Sequence, residues 1–182
     1  SEISLQKSND LNQMIQVVIQ SKNIDEMFTK IFELFKSRYS LTSYLMYILD
    51  KEDNFLKLNK IYGNVISDYK NLDTTKDYVN FLYKNHLSAE HEYSMQGVCI
   101  RSKRSILLKK VRMTHPYKPE EMNIVQGGVT SIYIIPLFSD EVTYGTITFP
   151  DSKFEKSELQ KLSKEDRDEI ENFIKLVSPS IF

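Results

Sequence analysis

Six consecutive apolar residues, Tyr44, Leu45, Met46, Tyr47, Ile48 and Leu49, stand between Ser43 and Asp50 with no polar side chain among them. Side chains of a strand alternate between its two faces, so a run of this kind leaves neither face suited to water. The pattern predicts a strand over 43–50 that lies centrally in a sheet, with other elements packed on both sides. Lys51, Glu52, Asp53 and Asn54 form a turn-rich spacer, and Phe55 to Gly63 then alternates Phe55, Leu56, Leu58 and Ile61 with lysines and asparagines. This second strand completes an antiparallel hairpin and reads as nearer an edge.

A second hairpin is clearer still. Val129 to Phe138 and Val142 to Phe149 are rich in β-branched and aromatic residues and are joined by Ser139, Asp140 and Glu141. Helical periodicity frames the two hairpins. Leu11, Ile15, Val18 and Ile19 fall on one face behind Ser8, Asn9 and Asp10 as caps, and a second helix starts near Ile24 and Asp25 and stops around Arg38. Its broad apolar face holds Met27, Phe28, Ile31, Phe32, Leu34 and Phe35. At the other end Asp151 and Ser152 introduce a last helix in which Leu159, Leu162, Ile170, Phe173, Ile174, Val177 and Ile181 recur at three- and four-residue steps.

The middle is less regular. A helix from about Thr75 to His86 bears Tyr78, Phe81 and Leu82, while Gln96 to Ile100 and Ser105 to Val111 read as a short strand pair around Ser102, Lys103 and Arg104. A loop with His115, Pro116 and Pro119 leads to a short helix through Glu120 to Val125, ended by Gly127 and Gly128. The order of elements describes an α+β domain with a largely antiparallel central sheet and helices on both faces. No repeat or long linker divides it. Residues 1–23 are expected to form an N-terminal helix and connector, and 24–182 a single domain that includes the C-terminal helix.

The chain has 182 residues, 41% of them hydrophobic and 27% charged, as in ordinary globular domains. Lys+Arg 24 against Asp+Glu 25 gives a net charge of -1, with no basic excess to draw the chain onto nucleic acid or an anionic membrane. The apolar runs are far shorter than the roughly 20 residues that span a bilayer. A single cysteine, Cys99, has no internal disulfide partner. These features predict a cytoplasmic protein.

Several motifs, taken in order, resemble a GAF domain, the small-ligand sensor module of cyclic-nucleotide phosphodiesterases, bacterial cyclases, phytochromes and histidine kinases. They are Gly128-Val-Thr-Ser-Ile-Tyr-Ile-Ile-Pro-Leu137, a turn, Gly145 in the next strand, and Phe154-Glu-Lys-Ser-Glu-Leu159 before the closing helix. Ser43 to Asp50, Lys60-Ile-Tyr-Gly63, Gln96-Gly-Val98, Ile106 to Leu108 and His115-Pro116 match the first half, so the resemblance spans roughly Asp25 to Phe182. It implies a GAF/PAS-like fold and a ligand pocket between the sheet and the middle helices. Carried across by motif, the contact positions are Leu45, Tyr62, Val98, Cys99, His115, Tyr117, Val129 and Ser131, with Tyr62 as the stacking platform. Leu45, Val98 and Val129 suit a pocket wall and a closed core equally well. The Asn-Lys and Asp-Glu pairs of the cyclic-nucleotide binders are missing around Phe149-Pro-Asp-Ser-Lys153 and Phe154, which argues against a cyclic nucleotide.

Chemistry is sparse in this sequence. Sulfoxide reductases of GAF fold need a nucleophilic cysteine with a resolving partner, and Cys99 stands alone in an apolar stretch as a structural thiol. No Cys-His pair marks a bilin site; His86 and His91 lie in a polar stretch, and His115 reads as a loop residue rather than a haem ligand. Glu90, His91 and Glu92 are too loose a cluster for a metal. Lys103, Arg104, Lys109, Lys110 and Arg112 read as a solvated sheet edge. The expectation is a non-catalytic regulatory sensor domain that binds a small molecule, of no predicted cofactor, or acts as a dimerisation module. The apolar stripe reaching Ile181 predicts a following effector, with a nucleotide cyclase preferred, and a parallel homodimer through the N- and C-terminal helices. The alternative is a small-molecule reductase using Cys99.

Overall fold

The computed structural model describes residues 11–16, 18–63, 75–111, 129–152 and 159–180. Residues 11–16, 18 and 19 are helical (α1) and are followed by α2 (Ile24–Tyr39), β1 (Ser43–Asp50), β2 (Phe55–Gly63), α3 (Thr75–Lys84), β3 (Leu87–Ser88) and α4 (Met95–Ser102). Then come β4 (Ile106–Leu108), β5 (Val129–Ser139), β6 (Val142–Ser152), a 3-10 turn at Leu159–Lys161, α5 (Lys164–Val177) and a second 3-10 turn at Ser178–Ser180. The strands form one six-stranded sheet in the order β3-β2-β1-β6-β5-β4, and every neighbouring pair is antiparallel.

β1 sits beside β2 and β6 in the middle of this sheet, and both of its faces are covered. Tyr44 and Met46 point into one hydrophobic layer, and Leu45 and Tyr47 into the other. The first layer unites Met14 and Val18 of α1, Phe28, Ile31 and Phe35 of α2, and Ile170, Phe173, Ile174 and Val177 of α5 over Tyr133, Ile135, Leu137, Ile147 and Phe149 of the sheet. The first and last helices therefore share one face of the sheet, with α2 on that face as well. Ring contacts link them: Phe35 meets Phe173 edge-on at 5.5 Å and Phe149 at 5.9 Å. The second layer places α3, through Tyr78 and Leu82, over Leu45, Tyr47, Leu56 and Leu58, and α4, through Met95 and Cys99, over Ile132 and Ile134.

Local chemistry sets the boundaries. Asn23 caps α2 by accepting from the Glu26 N–H at 2.8 Å, and the helix ends where Ser40 turns left-handed at φ 56 and donates its N–H to the Lys36 carbonyl. Ser163 and Asp166 form a reciprocal capping box at the start of α5. Gly145 is required by the sheet itself, since a Cβ there would lie 1.9 Å from the Tyr47 carbonyl oxygen of β1. A bulge shifts the β1–β2 register, with Met46 opposite Lys60 and Tyr47 opposite Leu58, so that Asn59 is the extra residue.

Four expectations are corrected. Gln96 to Ile100 is helical, because Ser94 caps the segment by accepting from the Gly97 N–H at 2.9 Å and because Met95, Gln96, Cys99 and Ile100 form one buried helical face. The partner of Ile106–Leu108 is accordingly β5. Asp151 and Ser152 close β6 instead of opening a helix; Leu159 belongs to a separate turn, and α5 begins only after Ser163. In α1 the buried residues are Met14 and Val18, whereas Ile19 is 55% exposed. The loop with His115 and the helix expected over Glu120 to Val125 lie outside the described residues.

Candidate functional site

The layer beneath α3 and α4 is where the sequence places a ligand pocket, and its floor is mixed in character. On β6, Thr146 and Thr148 point toward α4 from the face opposite Ile147 and Phe149. The first turn of α4 lowers Gln96 between them. Its amide Nε2 donates to Thr148 Oγ1 at 2.9 Å, and its Oε1 accepts from Thr146 Oγ1 at 2.6 Å. All three side chains are buried, and this polar inset is set among apolar neighbours on the adjacent strands, Leu45 and Tyr47 of β1 and Ile132 and Ile134 of β5. A buried amide is tolerated only when its hydrogen bonds are made, and here the two hydroxyls fix its orientation.

The eight positions carried over by motif divide between the faces. Leu45, Cys99 and Val129 belong to the layer beneath α3 and α4. Val98, one residue before Cys99, points outward and is 40% exposed. Tyr62 lies on the opposite face. It pairs with Tyr44 in the β1–β2 register, so both rings enter the α2 layer, where they stack at 4.6 Å with Phe28 and Phe32 each at 6.0 Å from Tyr62. The stacking platform is thus occupied by the protein's own rings. Ser131 also turns away, its hydroxyl donating to the Lys109 carbonyl at 2.8 Å and accepting from Gln160 Nε2 at 2.6 Å. His115 and Tyr117 lie outside the described residues.

Cys99 has no exposure, and its Sγ rests 3.8 Å from the Ile134 carbonyl oxygen. Burial, reinforced by the negative charge of Glu171, pushes its thiol up to about 12, so it is protonated at neutral pH. Burial likewise raises the phenols of Tyr44 and Tyr133, the latter also donating to the Glu171 carboxylate. His86 is exposed, and His91 uses Nδ1 to accept from the Tyr93 N–H at 3.2 Å. No group of three or more metal-ligating side chains converges among the described residues. Nor is any helix among them long and apolar enough to cross a membrane.

Gln96, Thr146 and Thr148 were not singled out by sequence reasoning, although a signal was present. Thr146 and Thr148 are two apart on a strand that is otherwise apolar at Ile147 and Phe149, which marks one polar face.

An antiparallel sheet with a three-helix layer on one face and two helices over a polar inset on the other defines the class, an α+β domain of GAF type. The particular fold is that of the GAF domain, as solved structures demonstrate. The GAF domain of a phosphoenolpyruvate-protein phosphotransferase from Acinetobacter is similar with a TM-score of 0.66 at 10% identity, over 97% of this chain and 92% of that one. The GAF domain of a two-component sensor histidine kinase from Bacillus halodurans gives a TM-score of 0.62 at 15% identity, over 88% and 95% of the two chains. Free methionine-R-sulfoxide reductase from Neisseria meningitidis, solved with its substrate, gives 0.63 at 16% identity, over 94% and 85%. At these identities the likeness establishes the fold. No family model and no curated protein sequence matches the chain.

Proposed function

We propose that this GAF-fold domain is a non-catalytic regulatory sensor, part of a multidomain signalling protein, that takes a small molecule on the face beneath α3 and α4. The observation that carries this reading is the Gln96–Thr146–Thr148 inset, a set of oriented donors and acceptors within an apolar layer bordered by Leu45 and Val129. Few polar groups on an apolar wall are the usual composition of a small-molecule site. GAF domains of a two-component sensor histidine kinase and of two phosphoenolpyruvate-protein phosphotransferases, found among the structural neighbours, support the same reading. A following effector such as a nucleotide cyclase, and a homodimer through the terminal helices, complete the proposal.

Mass spectrometry of ligand retained by the purified protein, under native and then denaturing conditions, is the test. A stoichiometric small molecule released only on denaturation, and lost in Thr148→Val, is expected. Protein that carries nothing from several expression hosts and whose stability responds to no member of a metabolite panel would sink the reading and leave a filled module.

The reductase alternative rests on the sulfoxide reductases among the neighbours. Its nucleophile would have to be Cys99, which is buried and protonated. Turnover of free methionine sulfoxide that disappears in Cys99→Ser would establish that reading instead.

A further inference from the structure

β4 is only three residues long and stops with Ile106 opposite Ile134. Residues 136–138 of β5 therefore continue past the end of the neighbouring strand, and Pro136 offers no N–H to any strand that might extend it. Two other elements border this gap. The turn after α4, where Lys103 adopts a left-handed conformation at φ 55, brings Lys103, Arg104 and Ser105 to one side, and α5 brings Glu171 and Lys175 to the other. Together they enclose a cleft of about 460 Å³ with half-buried Phe138 in its wall. That volume falls within the range of small-molecule sites, about 300–1,000 Å³.

The charges in this cleft are unevenly committed. Both oxygens of Glu171 are engaged, one by Ser105 Oγ at 2.5 Å and the other by the Tyr133 hydroxyl. Lys103 pairs with Glu141 at 2.6 Å, a carboxylate that is itself 92% exposed. Arg104 and Lys175 are exposed and form no ion pair among the described residues. A chain of net charge -1 thus concentrates three cations around one carboxylate that already has its donors. An arginine fork and a lysine ammonium facing one space suit a carboxylate or phosphate, and an aromatic ring beside them suits a flat apolar group.

We propose that this edge cleft is a second ligand site, which binds a small organic anion consisting of a flat ring bearing one phosphate or carboxylate. Arg104 and Lys175 hold the anion and Phe138 lies against the ring. The site shares no residue with the polar inset beneath α4 and does not depend on the function assigned to that face. Its occupant bridges the turn after α4 and helix α5, adding to the tie already made by Ser105 and Glu171.

Amide chemical shifts of the whole chain, followed during titration with phenyl phosphate, benzoate and inorganic phosphate, test the proposal. Saturable shifts at residues 103–105 and 171–175 are expected with one or both ring anions, and which of them binds tells a phosphate site from a carboxylate site. Arg104→Gln and Lys175→Gln should each weaken that binding about tenfold, a loss of 1.4 kcal/mol, with thermal stability unchanged. Lys36→Gln, which removes an exposed charge from α2, should leave it unaltered. The proposal is overturned if neither ring anion gives saturable shifts up to millimolar concentration, if Lys36→Gln weakens binding as much as Arg104→Gln, or if inorganic phosphate binds as tightly as phenyl phosphate.

Discussion

Replacing Gln96 with Leu removes the amide that joins α4 to β6 while keeping the side chain's approximate size. Two buried hydroxyls then lose their partners, the Thr146 O–H its acceptor and Thr148 Oγ1 its donor. An unmatched buried polar group costs roughly 1–3 kcal/mol, and the apolar leucine offsets part of the total, so Gln96→Leu is expected to lose about 3 kcal/mol. For a chain of this length that corresponds to roughly 6–12 °C in Tm. The double change Thr146→Val, Thr148→Val takes both threonine partners from the amide instead and should cost a similar amount. Combining all three substitutions removes the donors and acceptors these side chains offer one another, so the triple variant should lose clearly less than the sum of the separate losses. Urea unfolding followed by circular dichroism, with unchanged m-values, measures each corner of the cycle and its coupling energy. If the triple variant loses the sum of the separate losses, the three side chains are not coupled and the description of this polar inset is wrong.

Phe173→Ala should destabilise by about 3–5 kcal/mol, because the ring is fully buried and packs on Phe35, whereas Leu176→Ala on the exposed side of the same helix should stay within about 0.5 kcal/mol; thermal denaturation compares them. Cys99 should resist a thiol reagent in the native protein at pH 8 and react on unfolding; fast native-state labelling would contradict its placement on the buried face of α4. Its folded pKa of about 12 is raised, so its contribution to stability is intact below the ordinary thiol pKa and declines as pH rises from about 9 toward 12, a decline that should lessen in Cys99→Ser. A homodimer through the terminal helices should weaken in Ile19→Glu or Leu176→Glu, the exposed apolar positions of α1 and α5; sedimentation that finds only monomer in the parent would remove it. Val177 does not serve for that test, since it is buried in the protein's own core and a charge there attacks the fold.

The two hairpins were legible because each combines a strong strand pattern with a polar turn, and β1 was placed centrally because its run lacked any polar residue. The second strand's edge character also holds, since only the two residues of β3 lie beyond it. The helix α4 was not legible in Gln96 to Ile100, where a five-residue stretch ending in the apolar Val98, Cys99 and Ile100 is too short to distinguish a period of 3.6 from 2. Ser94 held the information, but a serine is a helix cap only if a helix follows, and nothing local decides that. The face of each motif position was lost for a related reason. Leu45 and Tyr62 were assigned to one pocket by their place in a pattern, yet the register opposes Leu45 to Ile61 and Tyr44 to Tyr62. Strand period is two, so an offset of one residue transfers a side chain to the other layer.

The same period explains why the candidate site lies where it does. In the strand-forming part of the chain, residues facing a covered layer are apolar wherever packing alone decides them, as at Tyr133, Ile135 and Leu137 on one face of β5 and Ile132 and Ile134 on the other. β6 obeys this rule on the α2 face with Ile147 and Phe149 and breaks it on the α4 face with Thr146 and Thr148. α4 breaks it at Gln96, the residue that meets them. Valine at both strand positions and leucine on the helix would fill nearly the same space, so apolar packing by itself does not account for the polar choice. Two elements distant in sequence depart from the local rule at one point of contact, and a joint departure of this kind is expected at a functional or strained site, which is why the proposed ligand face is placed here.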